Sequence, residues 1–124
     1  MTATITIPGS VRSKKNSKRI FARGPFKKVL PSKAYEAWEK QARQSLWGKA
    51  IVPPICVPCA VKATFYYKGQ KPDLSGAMES IADCLQGIIW ADDGLIESWD
   101  GSRMVHDKEN PRTEVTVEWG KPCL

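Results

Sequence analysis

Leu74, Met78, Ile81, Ala82 and Leu85 recur at helical spacing inside a segment, Asp73 to Asp100, that holds seven acids and no Lys or Arg. That combination leaves the chain little choice. The apolar residues must pack on a core, and at 100° per residue Ser75, Glu79, Asp83 and Gln86 then form a stripe on the opposite side of the helix. Asp73, following Pro72, is placed to cap the helix start, and Gly87 ends it. Beyond the helix, "IIW" and "GLIESW" read as short strands on either side of an Asp92-Asp93 corner.

The other elements are arranged around that segment. Thr2–Ile7 alternates as an opening strand does. Arg19–Ala22 and Phe26–Leu30 predict a hairpin turning at Arg23-Gly24-Pro25. Ser32 caps a first helix in which Tyr35, Trp38, Ala42 and Leu46 share one face, and Gly48 ends the run. Pro53-Pro54 separates that helix from a strand at Ala60–Tyr67, and Thr113–Trp119 reads as a closing strand. Strands and helices in mixed order predict an α+β fold: one small domain over residues 1–124, a mixed β-sheet with two main helices packed on it. A chain of 124 residues can bury one core without help from disulfides. No apolar run approaches the ~20 residues needed to cross a bilayer. The N-terminus lacks the basic region and apolar core of a signal peptide, so the expectation is a soluble, cytoplasmic protein.

Charge is divided along the chain. The net charge is +6, and the first thirty-four residues carry nine Lys or Arg and no acid. Such an imbalance favours a polyanionic partner, nucleic acid first, bound by phosphate neutralisation and counterion release. Within the basic loop, residues 8–31, Arg12, Lys14, Lys15, Asn16, Lys18 and Arg19 are the candidate phosphate contacts. Phe21 and Phe26 suit core packing better than base stacking.

The acidic segment, residues 73–103, is its counterpart. Glu79 and Asp83 stand one turn apart on the predicted helix and repel by ~0.2–0.5 kcal/mol unless a cation lies between them. Mg²⁺ or Mn²⁺ takes carboxylate oxygens readily, and Asp73, Asp92 and Asp93 could converge on the same ion. Carboxylates that gather a divalent metal beside phosphate-binding cations suit metal-assisted phosphodiester hydrolysis. A plainer reading accounts for the same residues: a solvated acidic stripe, a helix cap at Asp73, and an Asp-Asp-Gly turn. His106, the only histidine, reads as a surface residue. Cys56 and Cys59 form a CxxC without two further ligands at comparable spacing, so reduced thiols are expected rather than zinc.

At the acidic segment the sequence resembles the RusA family of phage-type Holliday-junction resolvases. That family's signature runs D-L-D-N, a lysine three residues on, D-x-L, an apolar patch and D-D before a strand. The matching string is Asp73-Leu74-Ser75-Gly76, Glu79, Asp83-Cys84-Leu85, Ile88-Ile89-Trp90 and Asp92-Asp93. "ITIPGSVRSKKNSKRI", "LPSKAYEAWEKQA" and "PRTEVTVEW" are similar to the family's opening strand and basic loop, first helix and closing strand. The resemblance covers nearly the whole chain.

It implies a cytoplasmic, homodimeric, Mg²⁺-dependent (or Mn²⁺-dependent) endonuclease that resolves four-way DNA junctions in recombination and repair, with no nucleotide cofactor and no membrane. Asp73 and Asp93 keep their places as metal-binding acids. Ser75 stands where the family has its second aspartate, Gly76 where it has asparagine, and Glu79 where it has lysine. A serine oxygen is a poorer Mg²⁺ ligand, so the expected site is rebuilt from Asp73, Glu79 and Asp93, with Asp92, Asp83 or Asp100 as further ligands. Arg103 or the N-terminal lysines are expected to replace the lost lysine cation. The alternative is a branched-DNA-binding protein that kept this fold and lost hydrolysis. A basic zinc-binding adaptor built on Cys56 and Cys59 is the remaining reading.

Overall fold

The computed structural model describes residues 1–13, 18–23 and 26–120, with side chains for 1–13 and 32–120. The elements run β1 (Thr2–Pro8), β2 (Lys18–Arg23), β3 (Phe26–Pro31), α1 (Lys33–Ser45), β4 (Cys59–Tyr67), α2 (Leu74–Cys84), β5 (Ile96–Ser98), β6 (Arg103–His106) and β7 (Arg112–Trp119). This is the expected α+β architecture, a mixed sheet carrying two helices.

β7 lies between β1 and β4 and is antiparallel to both, while β5 and β6 share the far edge of β4 and run parallel to it. β2 and β3 form an antiparallel ribbon of their own. A parallel return to the same sheet needs a crossover, and α2 is that crossover between β4 and β5. β5 begins beside Cys59, at the start of β4, so α2 carries the chain back along the whole strand.

Alternation decides which face of the sheet is covered. Ile5 and Ile7 of β1, Val61, Ala63 and Phe65 of β4, and Val115 and Val117 of β7 are buried, while Thr4, Thr6 and Lys62 between them are exposed. Against the buried face lie Tyr35, Trp38, Ala42 and Leu46, the face read from the periodicity of α1. Ser32 caps α1, its Oγ accepting the Tyr35 N–H at 3.1 Å.

Three local expectations change. Ile88–Trp90 is not a strand; it is a buried turn whose pairings are single bridges from Trp90 to Ile55 and Gln86. Ile89 and Trp90 are fully buried, and the Trp90 indole N–H donates to the Ala82 carbonyl at 3.0 Å, so their apolar character serves core filling. β6 was not expected; it continues the edge that β5 starts, and the Ser102 Oγ between them accepts the Ala63 N–H at 2.9 Å. Cys56 is disulfide-bonded rather than reduced, and Cys59 is a buried free thiol, so the CxxC supplies no pair of thiolates for zinc. Burial pushes the Cys59 thiol up and that of Cys84 up to about 11. No helix among the described residues is long and apolar enough to cross a membrane.

Candidate active site

Asp73 is the N-cap of α2, as its position after Pro72 predicts. Its Oδ2 accepts the Gly76 N–H at 3.4 Å and the Ser75 hydroxyl at 2.7 Å. The helix therefore opens with a carboxylate at its positive end. Around it is a cleft of about 550 Å³ lined by Arg12, Ser13, Gln70, Lys71, Pro72, Asp73 and Leu74. Among the described residues, two cations, a carboxylate and a helix N-terminus share this cleft.

The cleft exists because the chain leaving β1 is held against α2. The Ser80 Oγ donates to the Arg12 carbonyl at 2.8 Å, and Ser13 is buried against Gly76. A Cβ on Gly76 would overlap the Ser13 Oγ and lie 2.9 Å from its Cβ. An asparagine, the residue of the family pattern at this place, would meet the same obstruction.

The Asp92-Asp93 corner lies at the other end of α2. Ile55 clamps the buried turn before it, donating its N–H to the Ile89 carbonyl and accepting that of Ala91, both at 2.8 Å. The Asp92 Oδ1 caps a short 3-10 turn at Asp93–Leu95 by accepting the Gly94 N–H at 3.1 Å. The Asp93 N–H donates to the Gln86 Oε1 at 3.0 Å. The Asp93 carboxyl is held above the usual range by loss of hydration, then by a hydrogen bond with Asp92 and the charges of Asp92 and Asp83. Asp83, one turn after the exposed Glu79, is thus near enough to this corner for its charge to act on Asp93. It also acts on Tyr35, whose hydroxyl donates to Glu39 at 2.8 Å and is raised by burial first, then by Glu39 and Asp83.

Asp73 and Asp83 are ten residues apart, so α2 separates them by ~15 Å along its axis. The strand register says the same: Asp93 immediately precedes the segment that pairs at Cys59, whereas Asp73 follows the other end of β4. Among the described residues, no three His, Cys, Asp or Glu side chains are grouped so that they could hold a metal ion. Asp73, Glu79, Asp83, Asp92 and Asp93 are distributed along α2 in one copy rather than converging.

Asp100 lies outside α2. It lies in the turn after β5, its N–H donating to the Ser98 Oγ at 3.2 Å, and Gly101 beside it rests on the Lys62 stem on the uncovered sheet face. Met104 packs on the core, so by alternation Arg103 also points to that face, away from the Asp73 cleft. Of the basic candidates, Arg12 lines the cleft; Lys14, Lys15 and Asn16 lie outside the described residues, and Lys18 and Arg19 are described in backbone only.

The sequence reading missed Lys71 and Gln70 in the cleft, Gln86 behind Asp93, and the Ser13–Gly76 contact. A glycine in the first turn of a helix was the available signal for the last, since Gly there gives up helix propensity in return for close approach.

The model of the family described as endodeoxyribonuclease RusA matches residues 8–118. A comparison with individual curated proteins gives no match. The matched region includes the chain leaving β1, both helices, the Asp73 cleft and the Asp92-Asp93 corner, and on that extent this chain belongs to the RusA endodeoxyribonuclease family.

Proposed function

We propose that this protein is a divalent-metal-dependent endodeoxyribonuclease that nicks four-way and other branched DNA as a homodimer, in the cytoplasm of a phage-infected bacterium. The observation that carries the reading is the cleft where Asp73 stands at the α2 N-terminus beside Arg12 and Lys71. Arg12, Lys71 and the helix end are suited to hold a DNA phosphate. The Ser75 hydroxyl holds the Asp73 carboxylate in one orientation.

Among the described residues of one copy no three acids are grouped around an ion, and Asp73 and Asp93 stand at opposite ends of α2. A two-fold pairing that sets α2 antiparallel to its partner brings the Asp73 end of one copy to the Asp93 end of the other. Asp73 of one copy with Asp93, Asp92 or Asp83 of the second would then hold the ion. When bound, Mg²⁺ would supply an activated water and offset charge on the leaving oxygen. Symmetric cutting of a junction also needs two sites related by such an axis.

A mixing experiment tests this arrangement. Asp73→Asn and Asp93→Asn are each expected to abolish nicking of a synthetic four-way junction in Mg²⁺. Mixed and allowed to exchange subunits, they should regain single nicks, because one of the two shared sites then holds both wild-type acids. No recovery in verified mixed dimers refutes the shared site. Wild-type protein that retards the junction without ever nicking it supports the second reading, a branched-DNA binder; the observation favouring that reading is Ser75 in place of the family's aspartate.

A further inference from the structure

We propose that the solvent face of α1 and the indole of Trp47 form a second contact to branched DNA, the helix following a phosphate backbone and the ring stacking on an unpaired base at the branch. This rests on branched DNA being the ligand but not on hydrolysis.

Opposite its buried stripe, α1 carries exposed Lys33, Lys40 and Arg43, and the turn that follows adds Trp47 and Lys49. Spacings of seven, three and four residues keep Lys33, Lys40, Arg43 and Trp47 on one side. Of the two acids of α1, Glu36 lies on this same face between Lys33 and Lys40, and Glu39 is engaged by the Tyr35 hydroxyl and by Arg43 at 3.7 Å, so Lys33, Lys40 and, in the turn, Lys49 carry the excess positive charge. Cations therefore outnumber acids on this face, which complements a phosphate chain. From Lys33 to Trp47 the helix path spans ~21 Å, about six nucleotide steps of a B-form strand. The face also continues, without a break in sequence, from the basic loop that ends two residues before Lys33.

Trp47 is 81% exposed. An indole is rarely left in water, and its two faces suit a nucleobase. It is not on a free tether. The Trp47 N–H donates to the Gln44 carbonyl at 3.3 Å, the Lys49 N–H to Leu46 at 3.0 Å, and the Ile51 N–H to Ile88 at 3.0 Å. Gly48, at φ +79°, permits the tight turn. A ring mounted on a closed turn gives up little conformational freedom on stacking, which favours binding. Val52, the other large exposed apolar side chain nearby, offers no stacking surface; it would favour a protein partner, so that alternative belongs in the test.

The experiment uses the full chain in EDTA, where nicking cannot interfere. Wild type, Trp47→Ala and Trp47→Phe are titrated with a labelled four-way junction carrying 2-aminopurine at the branch, and with a duplex of the same arm sequence. Trp47→Ala should bind the junction roughly tenfold or more weakly, bind duplex within twofold of wild type, and lose the change in 2-aminopurine emission. Trp47→Phe should restore most of each. Unchanged junction affinity, or equal loss on junction and duplex, overturns the proposal. So does a shift to lower mass in sedimentation for Trp47→Ala, which would assign the patch to contact between copies. A wild type that binds the junction selectively but never nicks it in Mg²⁺ sinks the nuclease reading and leaves this one standing.

Discussion

Gly76→Ala probes the joint on which the Asp73 cleft depends. The new methyl would overlap the Ser13 Oγ and lie 2.9 Å from the Ser13 Cβ. Rotating the hydroxyl relieves the first contact, but the second requires the Arg12–Ser13 backbone to move. Overpacking of this kind costs ~1–3 kcal/mol, while alanine's better helix propensity returns up to ~1 kcal/mol. The net loss should be ~1–2 kcal/mol. For 124 residues the unfolding entropy is roughly 0.26 kcal/mol per kelvin, so Tm should fall by about 4–8 °C. Thermal unfolding followed by circular dichroism measures it, with Ser13→Gly and the double variant completing a cycle. Removing the Ser13 side chain should recover most of what Gly76→Ala loses, and junction affinity should follow because Arg12 returns to the cleft wall. A Gly76→Ala protein more stable than wild type, or single effects that simply add in the double variant, would refute a tight Ser13–Gly76 contact.

Two further outcomes are expected. Asp92→Asn removes one of the charges that raise Asp93 and replaces a proton-sharing carboxyl with an amide that can donate to the Asp93 carboxylate. A raised carboxyl favours the fold at low pH and loses that contribution as pH climbs through its elevated pKa; lowering it should move the acid limb of the nicking pH–rate profile to lower pH. Converting Lys14 and Lys15 to Gln should weaken binding to all DNA alike and reduce the slope of log affinity against log salt by ~0.9 per lost phosphate contact, so an unchanged slope would remove those lysines from the interface.

The buried stripe of α1 was legible because Tyr35, Trp38, Ala42 and Leu46 are large or apolar, and hydropathy registers them. For α2 the reading was rotated. Leu74, Met78 and Ala82 are only partly buried, while Gly76, Ala77, Ser80, Ile81 and Cys84 are fully covered. Small residues there admit the Arg12–Ser13 chain, and hydropathy gives no credit for smallness or for a serine that bonds a neighbouring carbonyl. The cap at Asp73 and the Asp92 turn were local, hence readable. The placement of Asp93 relative to Asp73 was not, because it follows from the parallel pairing of β5 with the start of β4. Asp100 and Arg103 are expected as substitutes for the acid and the lysine that the family pattern has; by strand alternation Arg103 points to the uncovered face, and Asp100 lies in the turn after β5 beside Gly101 and the Lys62 stem.

The length of α2 also bears on safety. If cutting requires acids from two chains, a newly made copy is harmless to the DNA around it, and incision rises with the square of protein abundance until pairing saturates. Dilution then disarms the enzyme without any inhibitor.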